Sequence, residues 1–218
     1  MIKAVLFDFD GTLADTNPLI IRTFDETFST LLPERTLTMA EIYDCIGPTL
    51  EQTGAKYFPD NPMTFVNHYR TLNDKYHDDM IEIYPGVIEM LLELQKRNLK
   101  LAIVSSKRKD FVIRGLKQTK ILEFFDYIVA GDDVANPKPH TEPFDMAMAH
   151  YGLQPHECLM VGDNSHDVDG AKNAGIKSIA VGWAFKGKPY LTALNPDYIV
   201  DDAMEIVRIT EEAMSSFL

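Results

Sequence analysis

The sequence has few cysteines, and it has no long hydrophobic run. Only two of its 218 residues are cysteine, Cys45 and Cys158, and they lie far apart in the chain. We therefore expect neither a disulfide scaffold nor a zinc site, and a reducing cytoplasm is the predicted location. No apolar stretch approaches the roughly 20 residues that a membrane span needs. The first residues also lack the pattern of a signal peptide.

Positive charge is scarce as well. The chain carries 21 lysines and arginines against 33 aspartates and glutamates, which gives a formal net charge of −12. This balance favours solubility and argues against nucleic acid and anionic membranes as partners. It does not argue against small phosphates, because a local positive field can exist inside a protein that is negative as a whole.

Short apolar runs alternate with segments of helical spacing through most of the chain. Strands are predicted at 3–7, 99–104, 127–130, 158–161, 178–181 and 198–200. Apolar strands that alternate with helices are typical of a parallel sheet covered on both faces. We therefore predict an α/β fold with a Rossmann-like parallel sheet, whose ligands bind at the carboxyl ends of the strands.

One segment interrupts this alternation. Between residues 16 and 84 the sequence shows no convincing strand, and it predicts helices over 18–32, 38–45, 49–57 and 62–80, punctuated by prolines. The alternating pattern restarts at Tyr84-Pro85-Gly86. We therefore predict two domains: an α/β core of residues 1–16 and 83–218, and an inserted all-helical domain of residues 17–82.

The first predicted strand ends in two aspartates, Asp8 and Asp10, followed by Gly11. Because side chains alternate along a strand, both carboxylates lie on one face at its end. They repel each other unless a cation lies between them or one of them keeps a proton. Gly11 permits a sharp turn that brings backbone N–H groups toward a ligand. The stretch predicts a site for a divalent cation together with an anion.

Other polar segments follow the later strands and fit the same chemistry. Ser105 offers a hydroxyl, with the N–H of Ser106 beside it near a helix start. Lys138 lies between two prolines, which limit where its ammonium can point. Asp163 and Asp167 follow the fourth strand. Carboxylates with a hard cation, a hydroxyl and a lysine are the groups that phosphoryl transfer requires.

Taken in order, these segments resemble the four motifs of the haloacid-dehalogenase-type (HAD) phosphohydrolase superfamily, and the insertion resembles its first-type helical cap. The resemblance implies that Asp8 is the nucleophile, which forms an aspartyl-phosphate, and that Asp10 is the general acid and base. It implies a Mg²⁺ ion bound by Asp8, the Asp10 carbonyl and Asp163, with Asp167 supporting the metal or Lys138. The implied phosphate-binding residues are Ser105, Ser106, Lys138, Gly11 and Thr12.

Within the superfamily the chain is similar to phosphoglycolate phosphatases and to the related inorganic pyrophosphatases. Residues 46–50 are similar to a cap loop of both groups, and residues 162–168 are more similar to the pyrophosphatases. This implies Mg²⁺-dependent hydrolysis of a small phosphate compound, either pyrophosphate or phosphoglycolate. Gly47, Pro48 and Thr49 would select the substrate, unless they form a simple connector between helices.

Several alternatives stay open at this point. The chain could be a phosphomutase similar to β-phosphoglucomutase, or a receiver-like module that senses phosphate without turnover. A dehalogenase would not need Asp10, and a calcium loop would place its glycine at the sixth position, whereas Gly11 is fourth. Lys107 either belongs to a solvated helical turn or faces the leaving group. Four cap cations are candidates to meet a second anionic group of the substrate: Arg22, Lys56, Arg70 and Lys75.

Overall fold

A computed structural model of the chain, which describes residues 1–215, contains eight strands. They are β1 (Ala4–Phe7), β2 (Ala14–Asp15), β3 (Glu82–Ile83), β4 (Lys100–Val104), β5 (Tyr127–Val129), β6 (Cys158–Gly162), β7 (Lys177–Val181) and β8 (Tyr198–Val200). Six of them form one parallel sheet in the order β5-β4-β1-β6-β7-β8. The predicted α/β fold class is confirmed, and β1 lies at the centre of the sheet between β4 and β6.

Ten α-helices complete the described chain. The first four are α1 (Asn17–Leu31), α2 (Met39–Asp44), α3 (Leu50–Tyr57) and α4 (Pro62–Tyr76). The other six are α5 (Val87–Lys96), α6 (Lys109–Gln118), α7 (Glu142–Tyr151), α8 (Ser165–Asn173), α9 (Gly187–Ala193) and α10 (Ala203–Ser215). The predicted helix over 62–80 ends earlier than expected, because a 3₁₀ turn, His77–Asp79, follows α4.

Both faces of the sheet are covered, and β1 shows how the sequence achieves this. Val5 and Phe7 belong to the hydrophobic cluster on one face, together with residues of α5, α6 and α10. Ala4 and Leu6 belong to the cluster on the other face, where Phe144 of α7 packs. Because side chains alternate along a strand and both faces are buried, every residue of β1 is apolar.

Helices α1–α4 pack around an aromatic cluster of their own, which is separate from the two clusters of the sheet. Phe24, Phe28, Phe65 and Tyr69 are buried there, and the rings of Phe28 and Phe65 lie 5.2 Å apart. Helices α2 and α3 begin with capping boxes, in which the threonine before each helix and the third helical residue satisfy each other's backbone N–H groups. We call residues 17–76 the helical insertion.

The connection between the sheet and the helical insertion differs from the sequence prediction. Strands β2 and β3 pair antiparallel, with Ala14 opposite Ile83 and Asp15 opposite Glu82. The prediction of no strand between residues 16 and 84 is therefore wrong at 82–83. A strand of two residues is too short to produce a period-2 pattern, and tertiary pairing decides it. The chain thus enters and leaves the insertion through two adjacent strands.

Both cysteines are buried free thiols. Burial raises the pKa of Cys45 and of Cys158 to about 11, so both stay protonated at neutral pH. Within the described residues, no helix is both long and apolar enough to cross a bilayer.

Candidate active site

Polar residues from several strand ends meet at one edge of the parallel sheet. Asp8 follows β1, Ser105 follows β4, and Asp163 follows β6, and these three strands are neighbours. Lys138 joins them from the loop between β5 and α7. Asp8, Asp163 and Lys138 are only 6%, 5% and 3% exposed. The fold therefore brings together residues that are far apart in sequence and removes them from bulk water.

Lys138 is the cation at the centre of this group. Its Nζ lies 2.6 Å from Asp167 Oδ1 and 3.2 Å from Asp8 Oδ2, and it donates a hydrogen bond to the Val104 carbonyl at 2.9 Å. Burial alone would lower the pKa of Lys138, but the Asp167 and Asp8 carboxylates outweigh it and raise that pKa above its usual value. Lys138 is therefore charged and fixed in direction by three acceptors.

Asp167 uses both of its carboxylate oxygens within the protein. Oδ1 accepts from Lys138, and Oδ2 accepts from the backbone N–H groups of Asp163 and Asn164 at 3.1 and 3.2 Å. Asn164 in turn donates from its side chain to Asp163 Oδ1 at 3.0 Å. Asp167 thus holds both Lys138 and the loop that carries Asp163.

Three buried carboxylates, those of Asp8, Asp163 and Asp167, each offer an oxygen within 4.8 Å of the others. Burial raises the pKa of Asp8 to about 7, since Lys138 only partly offsets it and the neighbouring carboxylates add to it. Burial, followed by Asp167 and Asp8, also raises the pKa of Asp163 well above its usual value. Such a cluster is stabilised by protons or by a hard cation with oxygen ligands, so these residues fit a divalent metal ion.

The turn after β1 approaches this cluster closely. Gly11 has a φ of 76°, and a Cβ at this position would lie 2.4 Å from Asp163 Oδ2. Only glycine combines that backbone conformation with such a short approach. Thr12 is buried beside it, and its Oγ1 has no hydrogen-bond partner among the described residues. The Thr12 carbonyl accepts from the indole of Trp183 at 3.1 Å, which fixes the turn from the other side.

Asp10 pairs with a residue whose role the sequence left open. Its Oδ1 lies 2.8 Å from Lys107 Nζ, so Lys107 faces the site instead of solvent. The backbone N–H of Lys107 donates to Ser105 Oγ at 3.2 Å, while Arg108 is the N-cap of α6. Ser105 therefore orders the loop before α6 and is not its N-cap. Within residues 1–215, Ser106 Oγ has no hydrogen-bond partner.

A cavity of about 460 Å³ opens over Asp8 and Asp10, between the sheet and the helical insertion. Its lining includes the predicted cap residues Gly47, Pro48 and Thr49. The structure places these residues at the cavity and also at a helix start, since the Thr49 hydroxyl accepts from the Gln52 N–H and caps α3. The segment therefore lines the cavity and also connects two helices.

Gly47 brings the insertion into contact with the acidic site. Its φ is 119°, and a Cβ there would lie 3.0 Å from His166 Nδ1 and 3.2 Å from Asn164 Oδ1. Two further contacts hold the insertion over the cavity. Lys186 donates to the Ile46 carbonyl at 3.3 Å, and the rings of Tyr43 and Phe185 pack edge to face 4.5 Å apart.

Sequence reasoning missed two residues of this cavity. Asn164 lines it and orients Asp163, and Asn73 of α4 lines it from the insertion. Asn73 is 3% exposed, and its Nδ2 has no hydrogen-bond partner in the described part of the chain. The sequence signal was available: Asn73 lies on the face of α4 that also carries the buried Val66 and Tyr69, a position where a polar residue is unusual.

The chain resembles known proteins over most of its length. The profile of the family described as haloacid dehalogenase-like hydrolase matches residues 5–181. A pyrophosphatase PpaX from Bacillus cereus strain AH820 is 41% identical over 211 residues, which covers 97% of this chain and 97% of that protein. The protein of the same name from Halalkalibacterium halodurans is 43% identical over 211 residues and covers 95% of this chain and 98% of its own length.

Solved structures show the same architecture. A haloacid dehalogenase-like family hydrolase from Streptococcus pneumoniae superposes with a TM-score of 0.83 at 28% identity, covering 96% of this chain and 98% of that one. A predicted phosphoglycolate phosphatase from Haemophilus somnus superposes with a TM-score of 0.81 at 25% identity, covering 96% of this chain and 98% of that one. The extent of the family match, the identity to the relatives and the shared fold agree, and this chain belongs to the haloacid dehalogenase-like hydrolase family.

Proposed function

We propose that this enzyme hydrolyses a small phosphate compound through an aspartyl-phosphate on Asp8, with inorganic pyrophosphate as the first candidate substrate and phosphoglycolate as the second. The observation that carries the proposal is the buried Asp8 carboxylate beside the charged Lys138, at the base of a cavity that also contains Asp10. The relatives named pyrophosphatase support the first candidate, and the solved structure named for phosphoglycolate supports the second.

The residues of the site divide the reaction between them. Lys138 and the Ser105 hydroxyl would hold the phosphoryl oxygens, which brings phosphorus next to Asp8. An Asp8 oxygen attacks phosphorus, the bond to the leaving oxygen breaks, and Asp10 gives that oxygen a proton. Asp10 then takes a proton from water, which attacks the aspartyl-phosphate and releases phosphate, so Asp8 is regenerated. Lys107 holds the Asp10 carboxylate at 2.8 Å and thereby orients it.

The buried acidic cluster suits Mg²⁺ as the resident cofactor. Asp8, Asp163 and the Asp10 carbonyl would hold the ion, while Asp167 is already occupied by Lys138 and two backbone N–H groups. When bound, Mg²⁺ supplies positive charge against the oxygens of the transferring phosphoryl group. Burial and the neighbouring carboxylates raise the pKa of Asp8 and of Asp163, and a bound cation would favour the charged form of both groups.

We further propose a cytoplasmic enzyme whose partner is a small phosphorylated substrate, without a role for nucleic acid or membrane. The net charge of −12 disfavours polyanionic partners, and both thiols are free and buried.

The test of the proposed function is a comparison of initial rates with Mg²⁺ on pyrophosphate, phosphoglycolate and β-glucose-1-phosphate. We expect pyrophosphate or phosphoglycolate to be the best substrate, with release of orthophosphate. A sugar phosphate preferred by about tenfold or more, or its conversion to an isomer without phosphate release, would instead identify a phosphomutase. Phosphate bound covalently to Asp8 without turnover of any of the three would identify a receiver-like module.

Asp10→Asn separates proton transfer from metal binding. General acid and base help contributes about 10²–10⁴ in rate, so we expect a loss of that order with phosphoglycolate, which has an alkoxide leaving group. The loss should be smaller with p-nitrophenyl phosphate, whose leaving group needs little protonation. The measurement is kcat on both substrates. Equal losses would assign Asp10 to the metal rather than to the proton.

Stabilisation by Mg²⁺ should depend on pH in a defined direction. Because the pKa of Asp8 rises from 3.8 in the unfolded chain to about 7, the metal-free fold binds the extra proton between these values and loses stability as pH rises across them. Mg²⁺ must displace that proton. We therefore expect a larger Mg²⁺-induced rise in Tm near pH 8 than near pH 5. A rise in Tm that is independent of pH would exclude Asp8 as a ligand.

A further inference from the structure

Two neighbouring residues of α4 offer unsatisfied hydrogen-bond donors at the cavity. Arg70 and Asn73 both line it, and Arg70 Nε and Asn73 Nδ2 are buried without a hydrogen-bond partner among the described residues. Burial raises the pKa of Tyr69 and the neighbouring Asn73 side chain lowers it, so the two side chains lie close together, but they do not meet hydrogen-bond geometry. Residues three apart share one face of a helix. A buried donor left without a partner destabilises the fold, so two of them on one face indicate a site for acceptors.

The guanidinium of Arg70 is already oriented. Its Nη2 donates to Glu51 Oε1 at 2.6 Å, and Glu51 of α3 also lines the cavity. This ion pair occupies Nη2 and orients the planar guanidinium, while the Nε–H has no acceptor among the described residues. A guanidinium N–H held in this way can donate to an oxygen of a carboxylate or a phosphate.

Arg70 differs in its surroundings from the other three cap cations that the sequence analysis named as candidates. Arg22 pairs with Glu26, and Lys75 donates to the Tyr76 hydroxyl at 2.8 Å. Lys56 lies over the ring of Tyr57. Of these four cations, within the described chain, Arg70 is the one that lines the cavity above Asp8.

The sheet side of the cavity supplies a second positive charge. Lys107 lines the same cavity and lies 2.8 Å from the Asp10 carboxylate, the group proposed to protonate the leaving oxygen. Ser106 lines it as well, and its hydroxyl has no partner in the described structure. Donors therefore come from both the helical insertion and the sheet, and they line the same cavity as Asp10.

We propose that Arg70 and Asn73, facing Lys107 and Ser106, form a subsite for a second phosphoryl group, so that the preferred substrate is of the diphosphate type. This inference rests on the proposed function. In the reaction, the bond between Asp8 oxygen and phosphorus forms, and the bridging P–O bond breaks. The electron pair stays on the leaving phosphate, which takes the proton of Asp10 and is held by this subsite until release.

A phosphoryl group fits this subsite better than a carboxylate. The available donors belong to four side chains, two from the helical insertion and two from the loop after β4. A tetrahedral group directs three non-bridging oxygens outward, whereas a carboxylate directs two in one plane. Two cations, Arg70 and Lys107, also match a dianionic leaving group better than a single negative charge. Glu51 repels any such anion and thereby limits how tightly the product phosphate binds.

The first test compares substrates with and without a second phosphoryl group. We expect Arg70→Gln and Asn73→Ala to lower kcat/KM for pyrophosphate at least tenfold more than for acetyl phosphate, mainly through KM. Arg70→Lys should recover part of the loss, and Glu51→Gln should lower KM for pyrophosphate. The matched control is Lys75→Ala, a cation on the same helix that does not line the cavity and that should leave both substrates unaffected.

The second test measures binding without turnover. In an Asp8→Asn background with Mg²⁺, calorimetry should show that Arg70→Gln weakens methylenediphosphonate about tenfold more than orthophosphate. Equal losses for the two ligands, or for the two substrates, would mean that Arg70 only holds the insertion in place and would overturn the subsite. The absence of any loss for either ligand would also overturn the subsite.

Failure of this inference differs from failure of the proposed function. A wild-type enzyme that hydrolyses phosphoglycolate but not pyrophosphate would retain the proposed function and overturn the diphosphate subsite. A wild-type enzyme inactive on both substrates would overturn the proposed function before any variant is made.

Discussion

Asp8→Asn is expected to lose about 10⁴-fold or more in kcat on every substrate, because the proposed nucleophile is removed and the remaining groups would have no covalent step to assist. The amide keeps the shape of the carboxyl group and can still accept from the Phe9 N–H, which binds Asp8 Oδ1 at 2.7 Å. It also removes one of three crowded buried carboxylates. The metal-free variant should therefore fold, with a Tm near pH 8 at or above that of the wild type.

Two measurements check this expectation. Steady-state rates give the loss of turnover, and acid quenching of the wild type with labelled substrate should trap phosphate on the protein, whereas the variant should trap none. The matched control is Asp145→Asn, an exposed aspartate of α7 that should retain the wild-type rate. If Asp8→Asn keeps a tenth of that rate, the nucleophile is another residue.

The strand-end residues could be anticipated from the sequence, and the reason is geometric. In a parallel sheet the carboxyl ends of adjacent strands lie at one edge. The order β4-β1-β6 was not readable from the chain, but any order that made these strands neighbours would bring Ser105, Asp8 and Asp163 together. The motif resemblance supplied that adjacency, and the structure has it.

Contacts between the helical insertion and the sheet could not be anticipated in the same way. Arg70, Lys75 and Arg22 have the same charge and all lie on amphipathic helices, so the choice among them depends on how each helix is rotated against its neighbours. Lys107 and Asp10 are 97 residues apart in the sequence. Their pairing depends on the path of the loop after β4 and on the rotamers of the two side chains. Neither the rotation of a helix nor the path of a loop produces a periodic pattern in the sequence.

Lys138→Met should have the largest effect on stability of any single substitution in the site. Lys138 is 3% exposed and lies between the carboxylates of Asp8 and Asp167. Removal of one partner from a buried ionic group costs about 3–5 kcal/mol, because the charges left behind are neither solvated nor paired. The raised pKa of Lys138 means that its contribution is fully present at every pH below the unfolded value near 10.5, so the loss should be seen throughout the neutral range.

The size and origin of that loss can be separated by a double-mutant cycle. Urea unfolding of Lys138→Met, Asp167→Asn and the double variant should show that the double variant is far more stable than the sum of the single losses predicts, since neither charge is then left unpaired. Lys172→Met, an exposed lysine of α8, is the matched control and should change the free energy of unfolding by less than about 0.5 kcal/mol. Additive losses in the cycle would show that Lys138 stabilises the fold through packing and not through its charge.

Mg²⁺ should restore more stability to Lys138→Met than to the wild type, because a bound cation replaces part of the positive charge that Asp8 has lost.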